Sequence, residues 1–349
     1  MKKKLYLLVL LILSVNILIA QTIDVVTGLS GNPNRLLLDG NDLYFTEQTS
    51  NKLSKIDISN SNPIPIDIIA GLDDPLSMVL NGNDLYIAIG FDNKISKIDI
   101  SSNSPVLKDV ITGLNKPNGM ILIGNELYFS ESYVGTISKI DISDNSPTRE
   151  VVVSGLNFPS ALALNGSDLY VSEILGDKIT KIDLSSNPPT TKDVITGLNG
   201  PIGLRINGDE LFIAQLAENK ITKINISNNT PTPIEVVSGL DGPTDIIFIE
   251  NELYISEHSG QKISKLENTL LGLNELSYNK IIMYPNPTSD FISFSNIKQP
   301  MEYSIFSING MKILSDIANP NEKIDIRSLN SGTYLININN KLTERIIKK

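Results

Sequence analysis

The sequence predicts an all-β protein in which a six-bladed β-propeller is followed by a small β-sandwich. The first observation is a 42-residue repeat between residues 28 and 266, each copy with a proline in its opening turn and a Leu-Tyr or Leu-Phe pair. The second is that every repeat divides into short apolar runs bounded by Gly, Asn, Asp and Pro, which is typical of strands joined by turns. Strand-like units repeated every ~40–50 residues indicate a propeller or a related array.

The third repeat shows the four strands of one blade most clearly. Its apolar runs cover residues 120–123, 127–130, 136–142 and 150–154. The first run is apolar at every position, which suits a strand covered on both faces. The innermost strand of a propeller lies between neighbouring blades, so we assign this run to it.

The ring is predicted to close through the N-terminal end of the mature chain. Repeats one to five end in a fourth strand, but repeat six stops after residues 263–266. The missing strand is present at residues 23–28, as Ile-Asp-Val-Val-Thr-Gly. Pairing of that strand with the last repeat would remove the exposed sheet edges of an open array.

The two ends of the chain have other patterns. Three lysines at residues 2–4 precede an apolar stretch and a small residue at position 20. Residues 1–20 are therefore predicted to be a secretory signal peptide, with no transmembrane segment after its removal. Residues 21–268 are predicted as the propeller, 269–280 as a linker and 281–349 as a second domain. The short strands of that second domain favour a β-sandwich.

Composition excludes several classes of function. The 349 residues contain no cysteine, no tryptophan and one histidine. A disulfide framework, a cysteine nucleophile and a lipidated cysteine are thereby excluded, and any histidine-dependent catalysis rests on His258. The net charge is −10, and the negative charge lies before residue 271. Nucleic acid and anionic membranes are disfavoured as partners, because both need clustered basic charge.

The repeat motifs resemble those of NHL-type and gluconolactonase-like six-bladed propellers. They read G-L-x-x-P-x-G-[LIM], L-Y-[IV]-[AS]-E and N-K-I-[ST]-K-I-D. The resemblance implies the fold but not an activity. Gluconolactonase-like enzymes hold a divalent metal with Glu, Asn and Asp on separate blades, whereas the acids here are the repeated ones. Streptogramin lyases are a second enzyme branch of similar propellers, and a single histidine leaves that alternative open.

The last part of the chain resembles the C-terminal sorting domain of the type IX secretion system of Bacteroidota. It has the family's Y-P-N-P opening, a turn glycine, an S-G-x-Y motif and a basic end, in that order. The resemblance implies export across the outer membrane by the type IX machinery, followed by surface attachment or release. The matching residues are Tyr284, Pro285, Asn286, Pro287, Gly310, Gly332, Tyr334, Lys348 and Lys349.

Two repeated acidic features have a functional and a structural interpretation. Asp99, Asp141 and Asp183 begin Asp-x-Ser loops that lack the glycine and terminal glutamate of an EF-hand, so Asx turns are favoured over calcium binding. A position at the end of the second strand is either a cation or sugar site, or an acid bonded within its own blade. Repetition favours the second, since active sites depend on unique residues. That position carries Glu47, Ile89, Glu131, Glu173, Gln215 and Glu257.

Residues that break the repeat are the candidates for a specific site. Closure makes blades one and six neighbours, so Arg35 and Asp245 are expected to meet near the channel mouth, as a buried ion pair or as charges presented to a ligand. Arg205 replaces an aliphatic residue of the other blades and needs a partner if buried. Loops on one rim carry large side chains that are candidates for a binding patch. These are Phe91, Tyr133, Phe158, Leu175, Leu216 and His258.

These observations favour a binding module for a protein or glycan over an enzyme. The alternatives are a metal-dependent hydrolase or lactonase and a structural adhesion component. As a general base, His258 would need an orienting carboxylate, and its neighbour Glu257 points the other way in a strand. No catalytic residue, metal ligand or cofactor is predicted; a divalent cation such as calcium enters only under the carboxylate-site alternative.

Overall fold

The protein is described by a computed structural model that covers residues 22–267 and parts of the C-terminal region. Those parts are residues 283–284, 286, 288–294, 300–307, 312–319, 322–338 and 342–349. The chain divides into two compact units, Met1–Gly272 and Leu273–Lys349. The predicted signal peptide and linker lie outside the described residues. No helix among the described residues is long and apolar enough to cross a membrane.

The first unit contains six four-stranded antiparallel sheets, the blades of the propeller. Blade 1 comprises β2–β5, blade 2 β6–β9, blade 3 β10–β13, blade 4 β14–β17, blade 5 β18–β21, and blade 6 β22–β24 with β1. The strands are β1 (Ile23–Val26), β2 (Pro33–Asp39), β3 (Asp42–Glu47), β4 (Lys52–Asp57), β5 (Ile66–Ala70), β6 (Pro75–Asn81), β7 (Asp84–Ile89), β8 (Lys94–Asp99), β9 (Lys108–Thr112), β10 (Pro117–Ile123), β11 (Glu126–Glu131), β12 (Thr136–Asp141), β13 (Glu150–Ser154), β14 (Pro159–Asn165), β15 (Asp168–Glu173), β16 (Lys178–Asp183), β17 (Thr190–Thr196), β18 (Pro201–Asn207), β19 (Glu210–Gln215), β20 (Lys220–Asn225), β21 (Ile234–Ser238), β22 (Pro243–Ile249), β23 (Glu252–Glu257) and β24 (Lys262–Glu267). A short 3-10 helix, Leu216–Glu218, follows β19.

The innermost strands form a closed ring. Each contacts the next in the order β2, β6, β10, β14, β18 and β22, and β22 contacts β2 again. Both faces of a blade are buried, since successive side chains of a strand point to opposite faces. In β3, Leu43 and Phe45 pack against Tyr254 and Ile263 of blade 6. Tyr44, between them, packs on the other side against blade 2. Full burial of each large apolar side chain stabilises the fold by about 1.5–3 kcal/mol.

The N-terminal strand closes the ring as predicted. β1 pairs antiparallel with β24, with Val26 opposite Ile263 and Ile23 opposite Lys265. Blade 6 is therefore built from both ends of the propeller sequence. Val26 is 8% exposed and belongs to the core between blades 6 and 1.

The exposed turn after the third strand has the same hydrogen bonds in several blades. In the turn after the third strand, an Asp Oδ1 accepts both the backbone N–H and the hydroxyl of the serine two residues later, as at Asp99 with Ser101 (2.9 and 2.6 Å). Asp141 and Asp183 do the same. The serine hydroxyl lowers the pKa of all three aspartates. These are the Asx turns that were favoured over calcium loops.

The second unit contains two antiparallel sheets around one apolar core. One has the order β25-β26-β29 and the other β28-β27-β30-β31. The core includes Ile292, Phe294, Ile305, Ile336 and Ile346. The strands are β25 (Met283–Tyr284), β26 (Phe291–Phe294), β27 (Met301–Ser307), β28 (Lys312–Ala318), β29 (Ile324–Asp325), β30 (Gly332–Ile338) and β31 (Leu342–Lys348).

The described sorting-motif residues tie the first segment of the second unit to its last strand. The side-chain Oδ1 of Asn286 accepts the N–H of Ile347 at 2.8 Å. Thr288 exchanges backbone hydrogen bonds with Ile347 and Lys349 at 2.9 and 2.8 Å. The Tyr334 hydroxyl donates to the Asn330 carbonyl at 2.9 Å. Pro285, Pro287 and Gly310 lie outside the described residues.

Closure through β1 leads to a test. Replacing Val26 with Asp should lower the free energy of unfolding of the propeller by about 3 kcal/mol, because apolar burial is lost and a carboxylate is desolvated. Ile23→Asp, in the same strand but 47% exposed, is the matched control. Urea denaturation of both variants measures the difference, and equal effects would contradict a closing role for β1.

Candidate functional site

The repeated glutamates are buried inside their own blades. Each of the four is at most 1% exposed. Their Oε2 atoms accept a backbone N–H from the loop before the innermost strand at 2.6–2.9 Å. Their Oε1 atoms accept a Ser or Thr hydroxyl of the third strand at 2.5–2.7 Å. Each carboxylate thus joins a loop to a strand of its own blade. This is the structural interpretation of the repeated acids, not the cation or sugar site.

Of the two departures from glutamate, one keeps the bond to the third strand and the other has no acceptor. Gln215 of blade 5 accepts the Thr222 hydroxyl at 2.9 Å. In blade 2 the position is the fully buried Ile89, and Ser96 donates instead to Asp109 at 2.8 Å. No group of three or more His, Cys, Asp or Glu side chains in the described part of the chain is arranged to hold a metal ion.

The loops before the innermost strands and after the second strands lie at one end of the propeller, which we call the rim. Pro33 at the start of β2 pairs with Glu47 at the end of β3, which brings the two loops of blade 1 together. The equivalent pairs in the other blades have the same register, as Pro117 with Glu131 and Pro243 with Glu257 show. Residues on these loops therefore share one face.

A chain of side-chain hydrogen bonds runs along the rim from blade 6 to blade 3. The Nδ2 of Asn32 lies 3.1 Å from Nδ1 of His258, whose Nε2 lies 2.9 Å from Oε1 of Gln48. The Nε2 of Gln48 donates to Oδ1 of Asp74. The other oxygen of Asp74 accepts the ammonium of Lys116 at 2.5 Å. The Asp74 side chain is buried at 1% exposure, whereas the Lys116 side chain keeps 11% of its surface exposed.

Two aromatic rings contact Lys116 of this ion pair, and a third ring packs on one of them. The Lys116 ammonium lies 4.0 Å from the ring centroid of Phe91 and 5.6 Å from that of Tyr133. The rings of Tyr133 and Phe158 have centroids 6.0 Å apart. Phe91 is 56% and Tyr133 61% exposed. We call these four residues the rim patch.

The backbone beneath the rim patch is strained. Asp74, Lys116 and Phe158 stand directly before the repeated proline and have φ values of 61°, 53° and 55°. Blades 5 and 6 have Gly200 and Gly242 at this position, at φ 60° and 66°. The left-handed conformation costs a residue with a side chain roughly 1–2 kcal/mol relative to glycine. Non-glycine residues that are held in a strained backbone conformation are concentrated at functional sites.

Burial favours the neutral form of the His258 imidazole. The amide nitrogen of Asn32 faces Nδ1 and the amide oxygen of Gln48 faces Nε2, an arrangement that suits a neutral ring with its proton on Nε2. Burial lowers the pKa of His258, and the carboxylate of Asp74 opposes this shift. Glu257 does not orient the ring, since it accepts hydrogen bonds from Asp241 and Ser264.

Arg35 lies across the channel and connects blade 1 to four other blades. Its Nη1 donates to the carbonyls of Thr244 (2.9 Å) and Ile202 (3.4 Å). Its Nη2 donates to the Ser160 hydroxyl (2.7 Å) and to Oδ1 of Asn118 (3.3 Å). Burial lowers the pKa of Arg35, and the carboxylate of Asp245 counteracts this.

Arg35 and Asp245 are buried rather than presented to solvent at the channel mouth. Both are 5% exposed, and Nη1 of Arg35 lies 4.0 Å from Oδ1 of Asp245. The other carboxylate oxygen of Asp245 accepts the N–H of Leu36 at 2.9 Å. The Arg35 guanidinium lies inside the channel, where four neutral acceptors on other blades receive its hydrogen bonds.

The remaining predicted residues fall into two places. Leu175 is 64% exposed on the rim. Leu216, half-buried in the 3-10 helix, also lies on the rim. Arg205 lines the channel, where its Nε donates to the carbonyl of Ile246 at 3.0 Å. The nine predicted residues therefore do not form one site.

Sequence reasoning missed the polar half of the rim, namely Asn32, Gln48, Asp74 and Lys116. The signal was present for Asn32, Asp74 and Lys116, because the residue before the repeated proline varies in charge and size from blade to blade, and for Gln48, because the position after the second strand varies as well. The same search for departures from the repeat that singled out Arg35 would have found these positions.

Comparison with known proteins identifies the C-terminal unit. Residues 282–349 match the family described as "Secretion system C-terminal sorting domain". This confirms the predicted resemblance and the route that it implies: the protein is exported by type IX secretion to the cell surface or the medium. No curated protein matches the chain.

Solved structures similar to the chain are propellers with diverse descriptions. An auxiliary nutrient binding protein from Bacteroides ovatus has a TM-score of 0.58 at 12% identity and covers 70% of this chain and 76% of its own. A luciferin-regenerating enzyme has a TM-score of 0.57 at 14% identity, over 71% and 93%. Virginiamycin B lyase from Staphylococcus aureus has a TM-score of 0.52 at 19% identity, over 70% and 84%. At these identities the similarity shows the fold alone.

The role of the repeated glutamates is tested in blade 4. Glu173→Ala should lower the free energy of unfolding by about 2 kcal/mol, because a buried N–H and a hydroxyl lose their acceptor. Glu173→Gln should cost less, since blade 5 uses Gln215 at this position. Urea denaturation measures both values. Calcium titration by calorimetry is the control, and loss of a calcium signal in Glu173→Gln without loss of stability would contradict the structural role.

The state of His258 predicts a pH dependence of stability. Its pKa is lower in the folded chain than the usual ~6.5 of an unfolded one, so the unfolded chain takes up the proton first as the pH falls. The stability from neutral His258 is thus present above pH ~6.5 and is lost on acidification towards the lower folded pKa. Melting temperatures of wild type and His258→Gln at pH 7.5, 6.5 and 5.5 should show wild type losing its advantage. A constant difference would contradict the assignment, because the chain has no other histidine.

Proposed function

We propose that the protein is a secreted or surface-displayed binding module that holds a glycan on the rim patch. The observation that carries this proposal is the pair of rings, Phe91 and Tyr133, against the anchored ammonium of Lys116, with Phe158 packed beside Tyr133. Ring faces of this kind stack on the C–H faces of sugars, while the Tyr133 hydroxyl and the Lys116 ammonium are donors for sugar hydroxyls.

The size of the patch favours a glycan over a protein ligand. An aromatic side chain has about 150–250 Å² of surface, so the exposed rings of Phe91 and Tyr133 with the more buried Phe158 offer roughly 300 Å². A stable protein interface buries about 800 Å² on each partner. A short stretch of sugar units matches the smaller area. The name of the nutrient-binding neighbour supports a binding role for the fold.

The anchoring of Lys116 fits a preformed site. Asp74 and two rings hold the ammonium in one place, so a ligand does not have to order it on binding. Preorganisation of this kind increases affinity by reducing the entropy lost on association. We propose that no cofactor takes part. The adhesion alternative would use the same patch and differ only in whether the glycan is fixed to a surface.

The experiment measures binding of the chain from Gln21 to Lys349 to a glycan array and to polysaccharides in affinity electrophoresis. Phe91→Ala and Tyr133→Ala should each weaken binding about tenfold or more, which corresponds to about 1.4 kcal/mol for a lost stacking contact. Wild-type binding that both variants retain would contradict the proposal, and so would absence of any glycan ligand for the wild type.

Ile64→Ala and Val106→Ala are the matched controls. Both residues are exposed, at 79% and 69%, but they lie in loops between third and fourth strands, at the other end of the blades. They remove similar apolar surface without touching the rim. If they weaken glycan binding as much as the rim variants do, the binding surface lies elsewhere.

A further inference from the structure

The innermost strands enclose a cavity of about 250 Å³ in the channel. Arg35 closes it on the side of the rim. The guanidinium reaches Asn118, Ser160 and Thr244, which precede the cavity-lining residues of their own strands. The cavity therefore lies beyond Arg35, in the half of the channel away from the rim patch.

The charged groups that face the cavity are Arg35, Arg205 and Asp245. Together they carry a net charge of +1 inside a protein whose overall charge is −10. Arg35 is engaged by its four neutral acceptors, and Asp245 lies beside it at 4.0 Å. The charge of Arg205 acts on Arg35, where it adds to burial in lowering the pKa of the Arg35 guanidinium.

Arg205 is the unsatisfied cation of the cavity. It is half-buried, and only its Nε makes a hydrogen bond, to the carbonyl of Ile246 at 3.0 Å. Its two terminal nitrogens have neither a hydrogen bond nor an ion pair with any residue in the described part of the chain. A guanidinium presents these nitrogens as a planar fork, which matches the two oxygens of a carboxylate.

Aliphatic side chains form part of the remaining wall, while polar groups contribute the larger share of the exposed cavity surface. The aliphatic side chains include Leu36, Leu38, Met78, Met120, Leu162 and Ile247. Ser77 supplies a further polar group: its Oγ accepts the N–H of Met120 at 3.1 Å, and the hydroxyl hydrogen remains to be donated. The cavity thus combines one open cationic fork and one hydroxyl with a smaller exposed area of aliphatic side chains.

We propose that this cavity binds a small aliphatic carboxylate, with its carboxylate on the terminal nitrogens of Arg205 and its alkyl chain among the leucine and methionine side chains. A single negative charge balances the net +1 of the cavity, whereas a doubly charged phosphate would leave an excess beside Asp245. The volume equals that of roughly eight water molecules, which suits a ligand of about six to ten non-hydrogen atoms. Hexanoate has eight.

The repeat itself supports Arg205 as a residue kept for a ligand. The equivalent positions of the other blades are Leu37, Val79, Ile121, Ala163 and Ile247. An aliphatic residue is therefore sufficient for the blade. Arg205→Leu restores the residue of blade 1 and is expected to fold.

The test titrates sodium hexanoate into the chain from Gln21 to Lys349 by calorimetry and by ligand-observed NMR. Wild type should show saturable binding, and Arg205→Leu should weaken it at least tenfold. Hexanol, which has the same chain without the charge, should bind wild type more weakly than hexanoate. Arg205→Lys keeps the charge without the planar fork and should give an intermediate affinity, so the proposal stays testable if the leucine variant does not fold.

Lys108→Leu is the matched control, since it removes one positive charge at an exposed position of β9. It should leave hexanoate binding unchanged, as should Phe91→Ala on the rim. Absence of saturable hexanoate binding to wild type, or equal binding by wild type and Arg205→Leu, would overturn the proposal. Either result would leave the glycan proposal for the rim unaffected, because the two sites are tested with different ligands and different variants.

Discussion

The pairing of β1 with β24 is the constraint on which the propeller depends. Every blade buries both of its faces against neighbours, so an open ring would leave two blade faces and a sheet edge in water. The four residues of β1 complete blade 6 and bring blade 1 against it, with Val26 and Leu43 in one core. Arg35 reinforces this closure from the inside, since its hydrogen bonds hold four blades to the first.

What repeats in this molecule holds blades together, and what departs from the repeat is concentrated in two places. The glutamates and the Asp-x-Ser turns each satisfy backbone or hydroxyl donors of their own blade. The departures lie at the rim and in the channel. At the rim, three non-glycine residues adopt the left-handed backbone conformation that glycine adopts at the same position of blades 5 and 6. In the channel, an arginine stands where an aliphatic residue would be sufficient.

The fold was predictable because the repeat is strict and strand pairing follows from it. The number of sheets and the closing strand were both confirmed. The site was predictable only in part. Phe91 and Tyr133 were found as large residues in rim loops, but their relation to Lys116 depends on the left-handed turn before each proline, which a sequence pattern does not reveal. The partners of Arg35 come from four separate blades, so only the closed ring brings them together.

The hydrogen bonds that join residues 286–288 to residues 347–349 bear on the order in which the chain is made. The opening segment of the sorting domain finds its partners in residues 347–349, so it can pair only after the rest of the domain has been synthesised. A chain that stops before residue 347 lacks these partners and cannot complete the pairing. The propeller has the same dependence, since β1 is made first and its partner β24 last. A product truncated before β24 would keep an open ring, and one truncated between β24 and residue 347 would have a closed propeller followed by an incomplete sorting domain.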